Sequence, residues 1–150
     1  MNGWLLDTNV VSELARAGAN ANVVAWADGQ DERRMFLSIL TLGDYDRGVH
    51  NLAEDSTARA RIEAAVAALE ARFAGRVLPV SDAIVRRCGR ISGAGQRSTG
   101  QAPPVIDTLL AATALQHDLC LATRNLRDVR ESGASVFDPW HDDPGRFDLS

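Results

Sequence analysis

Residues 5–14, with the sequence LLDTNVVSEL, decide how the chain starts to fold. The apolar run that ends before Asp7 predicts a short buried strand. Asp7 itself predicts the N-cap of a helix whose apolar side carries Val10 and Val11. The chain therefore begins with a strand that leads directly into a helix, and a carboxylate lies at the junction.

The same alternation of strand and helix continues along the chain. Further strands are predicted at residues 35–38, 77–80, 119–122 and 136–137, and further helices at residues 23–27, 42–52, 57–73, 81–91 and 105–115. Thr41 is the predicted N-cap of the third helix, which places Asp44 in its first turn. Strands that alternate with helices predict an α/β/α sandwich around a central parallel sheet.

Residues 93–100, GAGQRSTG, form the one glycine-rich stretch and invite comparison with a phosphate-binding loop. No strand is predicted before the stretch, and it lacks the GK[ST] ending of such loops. We therefore expect a mobile connection there.

Four carboxylates, those of Asp7, Asp44, Asp107 and Asp128, each follow a short apolar segment or begin a helical one. Side chains in such places can converge at the carboxyl edge of a parallel sheet. Clustered carboxylates repel one another unless a hard cation such as Mg²⁺ or Mn²⁺ neutralises them. Taken singly, Asp7 and Asp107 could be helix caps and Asp128 a surface acid, but the conjunction favours a metal-dependent enzyme that acts on phosphate.

Length and composition agree with one folded domain, expected at residues 1–140, followed by a polar and mobile tail at residues 141–150. The net charge of −4 argues against nucleic-acid binding through bulk electrostatics, although a local arginine patch could still bind it. Cys88 and Cys120 form no metal-binding motif, so two reduced thiols are expected. No signal peptide or membrane span is evident, which favours a soluble cytoplasmic protein.

Two other enzyme classes find little support in the sequence. The first class is the Ser/His/Asp hydrolases. The chain has three histidines, His50, His117 and His141, and they are not spaced as a ligand set and do not lie beside a Ser or Cys nucleophile. A phosphate-accepting receiver domain also gathers acids at strand ends, but it depends on a lysine near its last strand. All sixteen basic residues of this chain are arginine, which nearly removes that class.

Four segments together resemble the PIN-domain family, most closely the VapC-type toxins of toxin–antitoxin modules, including their FitB-like branch. They are residues 5–14 (LLDTNVVSEL), 37–44 (LSILTLGD), 105–114 (VIDTLLAATA) and 121–125 (LATRN). The resemblance runs from Leu5 to Trp140. It implies a PIN-domain-like α/β/α sandwich and a cytoplasmic ribonuclease dependent on Mg²⁺ or Mn²⁺. It also implies a homodimer that binds a cognate antitoxin and cleaves RNA, without a membrane association.

The resemblance also assigns roles to residues. Asp7 and Asp107 would be the principal metal ligands, and Asp44 would take the place of the second acid. Asn125 stands where many relatives have Asp, and Asp128 could supply the missing charge through a water molecule. Plausible hydroxyl or amide partners of the ligands or of the scissile phosphate are Thr8, Asn9, Ser38 and Thr123.

One position departs from the family pattern. Relatives usually carry Glu at the second acid, whereas this chain has Asp44, whose side chain is one methylene shorter. Either the pocket suits Asp or the activity of this chain is weakened. A PIN-like binding module with vestigial acids is therefore the alternative function.

Overall fold

The computed structural model describes residues 1–147 and 149, except for the side chain of Arg146. Its five strands are β1 (Gly3–Leu6), β2 (Met35–Ser38), β3 (Val77–Leu78), β4 (Leu119–Ala122) and β5 (Val136–Phe137). Its seven α-helices are α1 (Thr8–Ala15), α2 (Ala21–Asp28), α3 (Ile39–His50), α4 (Thr57–Arg72), α5 (Asp82–Thr99), α6 (Val105–Gln116) and α7 (Leu126–Val129). The predicted sandwich around a parallel sheet is confirmed.

The strands form one parallel sheet in the order β3-β2-β1-β4-β5. The chain builds outward from β1 through β2 to β3 and then returns to place β4 on the other side of β1. The strand order therefore reverses between β1 and β4, where open α/β sheets form a crevice at the carboxyl ends of their strands. Asp7 follows β1 and Thr123 follows β4 at this crevice.

The side chains of β1 alternate between two cores, as the period of a strand requires. On one face, Trp4 and Leu6 join a cluster that includes Val10 of α1 and Trp26 of α2. On the other face, Leu5 joins a cluster built mainly from α6 and β4. This two-sided burial explains why β1 is apolar throughout and why its first polar residue falls at the strand end.

The segment predicted as a mobile connection, residues 93–100, is helical instead. Helix α5 continues to Thr99, and Gly100 ends it with a left-handed φ of 83°. Gly95 lets the loop before α6 pack closely against α5, because a Cβ built at position 95 would lie 3.1 Å from Pro103 Cδ. Packing of α5 on α6 offsets the helix-breaking tendency of the glycines, which is about 1 kcal/mol each.

Helix α3 begins three residues earlier than the sequence predicts. Its N-cap is Ser38, whose hydroxyl accepts a hydrogen bond from Leu40 N at 3.1 Å. Thr41 lies inside the helix and is buried, and Asp44 lies in the second turn rather than the first. Ser38, which was expected near the ligands or the substrate, is the N-cap of this helix.

The apolar residues Val23 and Trp26 of α2 are buried in the core. In the tail, Phe147 packs on the aromatic rings of Trp4 and Phe137, and Leu149 is also buried. Of the expected mobile tail, Asp148 and Ser150 lie outside the described residues.

Candidate active site

The Asp7 carboxylate is buried and is held by three donors at the end of β1. Thr8 N donates to Oδ1 at 2.7 Å, Thr123 Oγ1 donates to Oδ2 at 2.7 Å, and Asn9 Nδ2 donates to Oδ2 at 3.3 Å. Burial raises the pKa of Asp7, whereas the bond from Thr123 acts against that rise. The carboxylate is therefore fixed in orientation by the ends of two neighbouring strands.

Asp107 lies in the first turn of α6. This helix leads into β4, so its start lies at the same edge of the sheet as the end of β4. Asn125 Nδ2 donates to Asp107 Oδ2 at 3.2 Å and to Asp128 Oδ2 at 2.7 Å, so one amide joins two carboxylates. Burial, and then the negative charges of Asp7 and Asp128, raise the pKa of Asp107 to about 6.

Thr123 and Asn125 connect the two carboxylate groups. Thr123 Oγ1 donates to Asp7 and accepts a hydrogen bond from Asn125 N at 3.0 Å, while the Asn125 side chain reaches Asp107. Asn9 Nδ2 also lies 3.4 Å from Thr123 Oγ1. The loop after β1 and the loop after β4 are thus one hydrogen-bonded unit.

Asp44 joins this unit through Thr8. Thr8 Oγ1 donates to Asp44 Oδ2 at 2.9 Å and lies 3.2 Å from Thr41 Oγ1. The charge of Asp44 contributes to the raised pKa of Asp7, so the two carboxylates interact. Asp46, two residues further on, is exposed.

The structure thus gathers eight of the nine residues that the sequence proposed for the site. They are Asp7, Thr8, Asn9, Asp44, Asp107, Thr123, Asn125 and Asp128. Thr41 is the residue that sequence reasoning missed as a neighbour of the site. Its signal was its position three residues before Asp44 on a helix, which puts the two on one face.

The donor atoms suit a hard cation, because they are carboxylate, amide and hydroxyl oxygens. Burial is the largest cause of the raised pKa values of Asp7 and Asp107, and neighbouring carboxylates add to both; a bound cation would favour the ionised form of each. Among residues 1–147 and 149, however, no group of three or more His, Cys, Asp or Glu side chains is arranged to hold a metal ion. The acids lie as two pairs, Asp7 with Asp44 and Asp107 with Asp128, and hydrogen-bonding residues lie between them.

A parallel α/β sheet with carboxylates at its switch point defines a class of domain to which many phosphate-processing proteins belong. Within that class, residues 4–131 match the model of the PIN domain family. The chain belongs to the PIN domain family.

Two named relatives and one crystal structure illustrate the similarity. The chain is 35% identical to Toxin FitB of Neisseria gonorrhoeae over 141 residues, which cover 92% of this chain and 99% of that protein. It is 32% identical to VapC ribonuclease Y4jK of Sinorhizobium fredii over 139 residues, which cover 91% and 96%. The crystal structure of FitAcB from Neisseria gonorrhoeae superposes with a TM-score of 0.82 at 32% identity, covering 92% of this chain and 99% of that one.

No helix among the described residues is both long enough and apolar enough to cross a membrane.

Proposed function

We propose that this chain is the toxin component of a toxin–antitoxin module and that it cleaves RNA phosphodiester bonds as a Mg²⁺- or Mn²⁺-dependent endoribonuclease. One observation carries the proposal: the carboxylates of Asp7 and Asp107 are joined through Thr123 and Asn125 at the switch point of the sheet. Two relatives matched over more than nine-tenths of this chain support it, since one is named a toxin and the other a VapC ribonuclease.

Asp7 and Asp107 would be the principal metal ligands, with Asp44 as a third acid. Asn125, whose Nδ2 donates to Asp107 and Asp128 in this structure, would add its amide oxygen after its amide group turns over, and Asp128 would act through water. Because Mg²⁺ keeps several of its waters, it does not require a closed cage of protein ligands. A bound divalent ion would lower the pKa of a water molecule and screen the charge that develops on the scissile phosphate.

The residues of the chain have separate tasks in this reaction. Thr123 and Asn9 keep the Asp7 carboxylate in one orientation, and Thr8 does the same for Asp44. Asp107 must be ionised to attract a cation, and its pKa of about 6 means that it is mostly ionised at neutral pH. Water, and neither a protein side chain nor the 2′-hydroxyl of the RNA, would be the nucleophile, so the products would carry 5′-phosphate and 3′-hydroxyl ends.

The proposed partners are an antitoxin protein, which would bind this chain in the cell, and a second copy of the chain. Light scattering at micromolar concentration should give the mass of a homodimer, and a strict monomer would contradict that part of the proposal. The product of the neighbouring reading frame should co-purify with this chain and suppress its RNA cleavage.

The reaction itself is tested by RNA cleavage with Mn²⁺ in the unmodified protein, in Asp107→Asn and in Asp46→Asn. Asp46→Asn is the matched control, because it removes the same charge from an exposed acid on α3. Cleavage should be lost in Asp107→Asn, should persist in Asp46→Asn, and should stop when the metal is chelated. Full activity in Asp107→Asn, with its fold verified by circular dichroism, would overturn the assignment of the site.

A further inference from the structure

Arg124 lies in the loop that joins the carboxylates of the candidate active site. It stands between Thr123 and Asn125, whose side chains each donate a hydrogen bond to one of these carboxylates. Its own backbone N donates to Asn9 Oδ1 of α1 at 3.3 Å. The backbone of Arg124 is therefore fixed at the edge of the candidate site.

The side chain of Arg124 is held against an aromatic ring. Its guanidinium carbon lies 5.0 Å from the ring centroid of Trp140. Trp140 is buried, its backbone N donates to Asp138 Oδ1 at 2.8 Å, and its carbonyl accepts from Asn22 Nδ2 at 3.0 Å. A guanidinium over the face of a fixed indole ring is restricted in direction before any ligand arrives. The positive charge of Arg124 thus has a defined place beside the carboxylates.

Glu13 of α1 lies near Arg124 without pairing with it. The pKa of Glu13 is lowered chiefly by a hydrogen bond from Arg16, and the charge of Arg124 is a smaller cause. Both Glu13 oxygens already accept from other groups, since Arg16 Nη2 and Asn20 N donate to Oε1 and Arg16 Nε donates to Oε2. Arg124 is exposed and forms no ion pair with the residues that the structure describes. Its guanidinium N–H groups are therefore open to an anion.

Exposure alone does not distinguish Arg124 from other arginines. Several exposed arginines also lack an ion pair within the described part of the chain; they include Arg61, Arg86, Arg90, Arg97, Arg127 and Arg130. None of these lies over an aromatic ring among residues 1–147 and 149, and none stands between the two residues that join the carboxylates. Arg76 does lie over a ring, that of Phe73, but its guanidinium donates to backbone carbonyls and pairs with Glu32. Arg124 combines a fixed direction, open donors and a place at the candidate site.

An RNA strand brings several phosphates to a site that is itself acidic. Four aspartates lie in the candidate site, and the whole chain has a net charge of −4. A divalent ion would screen the scissile phosphate, but the phosphates on either side each carry a further negative charge that the same acids repel. A guanidinium keeps its charge at every physiological pH and donates two parallel hydrogen bonds to a phosphate. Such a group beside the carboxylates would offset the repulsion of a flanking phosphate.

We propose that Arg124 is a substrate-binding residue that holds the RNA phosphate next to the scissile one, with Trp140 setting the direction of its guanidinium. This inference rests on the proposed ribonuclease function and adds a contact that positions the substrate. Because the guanidinium lies over Trp140, outside the carboxylates, it reaches a flanking phosphate and not the scissile one. A backbone contact of this kind fixes the place of the strand without reading its bases.

The test compares three single variants of the full chain. Arg124→Gln removes the charge, and Arg124→Lys keeps the charge but removes the planar pair of donors. Arg130→Gln is the matched control, because it removes the same charge from another exposed arginine that follows β4. Each variant is assayed for kcat and KM with Mn²⁺ on an RNA of about 12 nucleotides, chosen because the unmodified chain cuts it at one bond.

The value of kcat/KM should fall by about tenfold in Arg124→Gln, by less in Arg124→Lys, and should stay within about twofold in Arg130→Gln. Calorimetry should show that all three variants bind Mn²⁺ within about twofold of the unmodified chain, because none of them removes a proposed metal ligand. The unchanged Mn²⁺ affinity separates a contact with the substrate from a structural role at the carboxylates.

Neutral linkages in the RNA identify the phosphate that Arg124 holds. In two further RNAs, the phosphate on one side or the other of the cut bond is replaced by an uncharged methylphosphonate on a 2′-O-methyl sugar. Control RNAs carry the 2′-O-methyl sugar alone. At one of the two positions, the neutral linkage should lower kcat/KM by about tenfold with the unmodified chain and with Arg130→Gln, but by less than about twofold with Arg124→Gln.

Three outcomes would overturn the assignment. Additive losses at both positions would mean that Arg124 contacts neither phosphate. Equal losses of kcat/KM in Arg124→Gln and Arg130→Gln would mean that only overall charge matters. Weaker Mn²⁺ binding by Arg124→Gln would mean that the side chain supports the carboxylates and does not hold the substrate.

The proposed function is tested separately, through metal-dependent cleavage by the unmodified chain. If that chain cleaves RNA and Arg124→Gln behaves as Arg130→Gln does, only the assignment of Arg124 is wrong. Absence of cleavage by the unmodified chain would overturn the ribonuclease function and this inference together.

Discussion

The two sides of the candidate site are built differently, although both carry buried or half-buried carboxylates. Asp7 accepts hydrogen bonds from Thr8, Asn9 and Thr123, which satisfy both of its oxygens. Asp107 accepts a hydrogen bond from Asn125, which it shares with Asp128, and its pKa is raised to about 6. Hydrogen bonds therefore offset part of the cost of burying the Asp7 charge, whereas the charges of Asp7 and Asp128 add to that cost at Asp107.

The largest expected contrast comes from Asp7→Asn and Asp107→Asn. Both should reduce Mn²⁺-dependent RNA cleavage by at least about 100-fold, because each removes a ligand charge. Their unfolding in urea without metal should differ in direction. Asp107→Asn should be more stable than the parent because it relieves repulsion, whereas Asp7→Asn should lose about 1–3 kcal/mol because an amide cannot accept from all three donors.

Equal shifts in the unfolding midpoints of the two variants would remove the distinction between the two sides. The result would then mean that Asp7 is no better satisfied by the protein than Asp107 is.

Thr123→Val tests the Asp7 side without changing any charge. It removes the hydroxyl that donates to Asp7 and accepts from Asn125, so the carboxylate loses its fixed orientation. Mn²⁺ affinity should fall by about 10–100-fold, the usual cost of losing a group that orients a metal ligand. Thr113→Val is the matched control, because Thr113 is also buried but donates only to Leu109 O of its own helix. An equal loss of affinity in both variants would point to a general packing defect.

Asp44→Glu tests whether the short second acid weakens the protein. Asp44 Oδ2 accepts a hydrogen bond from Thr8 Oγ1 at 2.9 Å. The Asp44 side chain is one methylene shorter than the glutamate that the family pattern favours. If the pocket is built for Glu, cleavage at saturating Mn²⁺ should rise by about tenfold, and toxicity without antitoxin should rise with it. Equal or lower cleavage in Asp44→Glu would mean that the pocket is adapted to Asp.

The smallest expected effect is a pH dependence that belongs to the Asp107 side. The folded protein holds the Asp107 proton up to about pH 6, whereas the unfolded chain releases it near its ordinary pKa of about 4. The contribution of Asp107 to the unfolding free energy therefore falls as pH rises from about 4 to about 6, and is constant above that range.

The Asp107→Asn variant does not lose unfolding free energy in this way, because it has no proton to release at this position. Its stability advantage over the parent should therefore grow between about pH 4 and about pH 6 and then level off. Urea unfolding of both proteins in a chelating buffer measures the difference. An advantage that does not change with pH would show that Asp107 titrates as an ordinary exposed carboxyl.

Much of the fold could be predicted because local and global signals agree along the chain. The apolar run before Asp7 is buried on both faces, and Asp7 is the N-cap of α1 as the sequence indicates. The acids could be placed at one edge because the carboxyl ends of parallel strands meet there. The hydrogen bonds that join Thr123, Asn9 and Asn125 depend on tertiary distances, which residue spacing does not contain.

The failures of prediction also have physical causes. The glycines of residues 93–100 indicate a break in the helix, but the packing of α5 on α6 outweighs their intrinsic preference. Ser38 and Thr41 are both good N-caps by type, and the earlier one is used because β2 ends there. The tail has a polar composition, but Leu149 belongs to the core cluster and Phe147 packs against it. The charge pattern of the tail does not predict this packing.

Calorimetric titration of Mn²⁺ near pH 6 tests the central claim most directly, because it measures the metal site without RNA. We expect saturable binding to the unmodified protein, with release of protons as Asp107 ionises. Binding should be retained in Asp46→Asn and weakened by at least about 10–100-fold in Asp107→Asn. No binding by the unmodified protein, as a PIN-like module with vestigial acids would show, or equal binding by Asp107→Asn, would contradict the account.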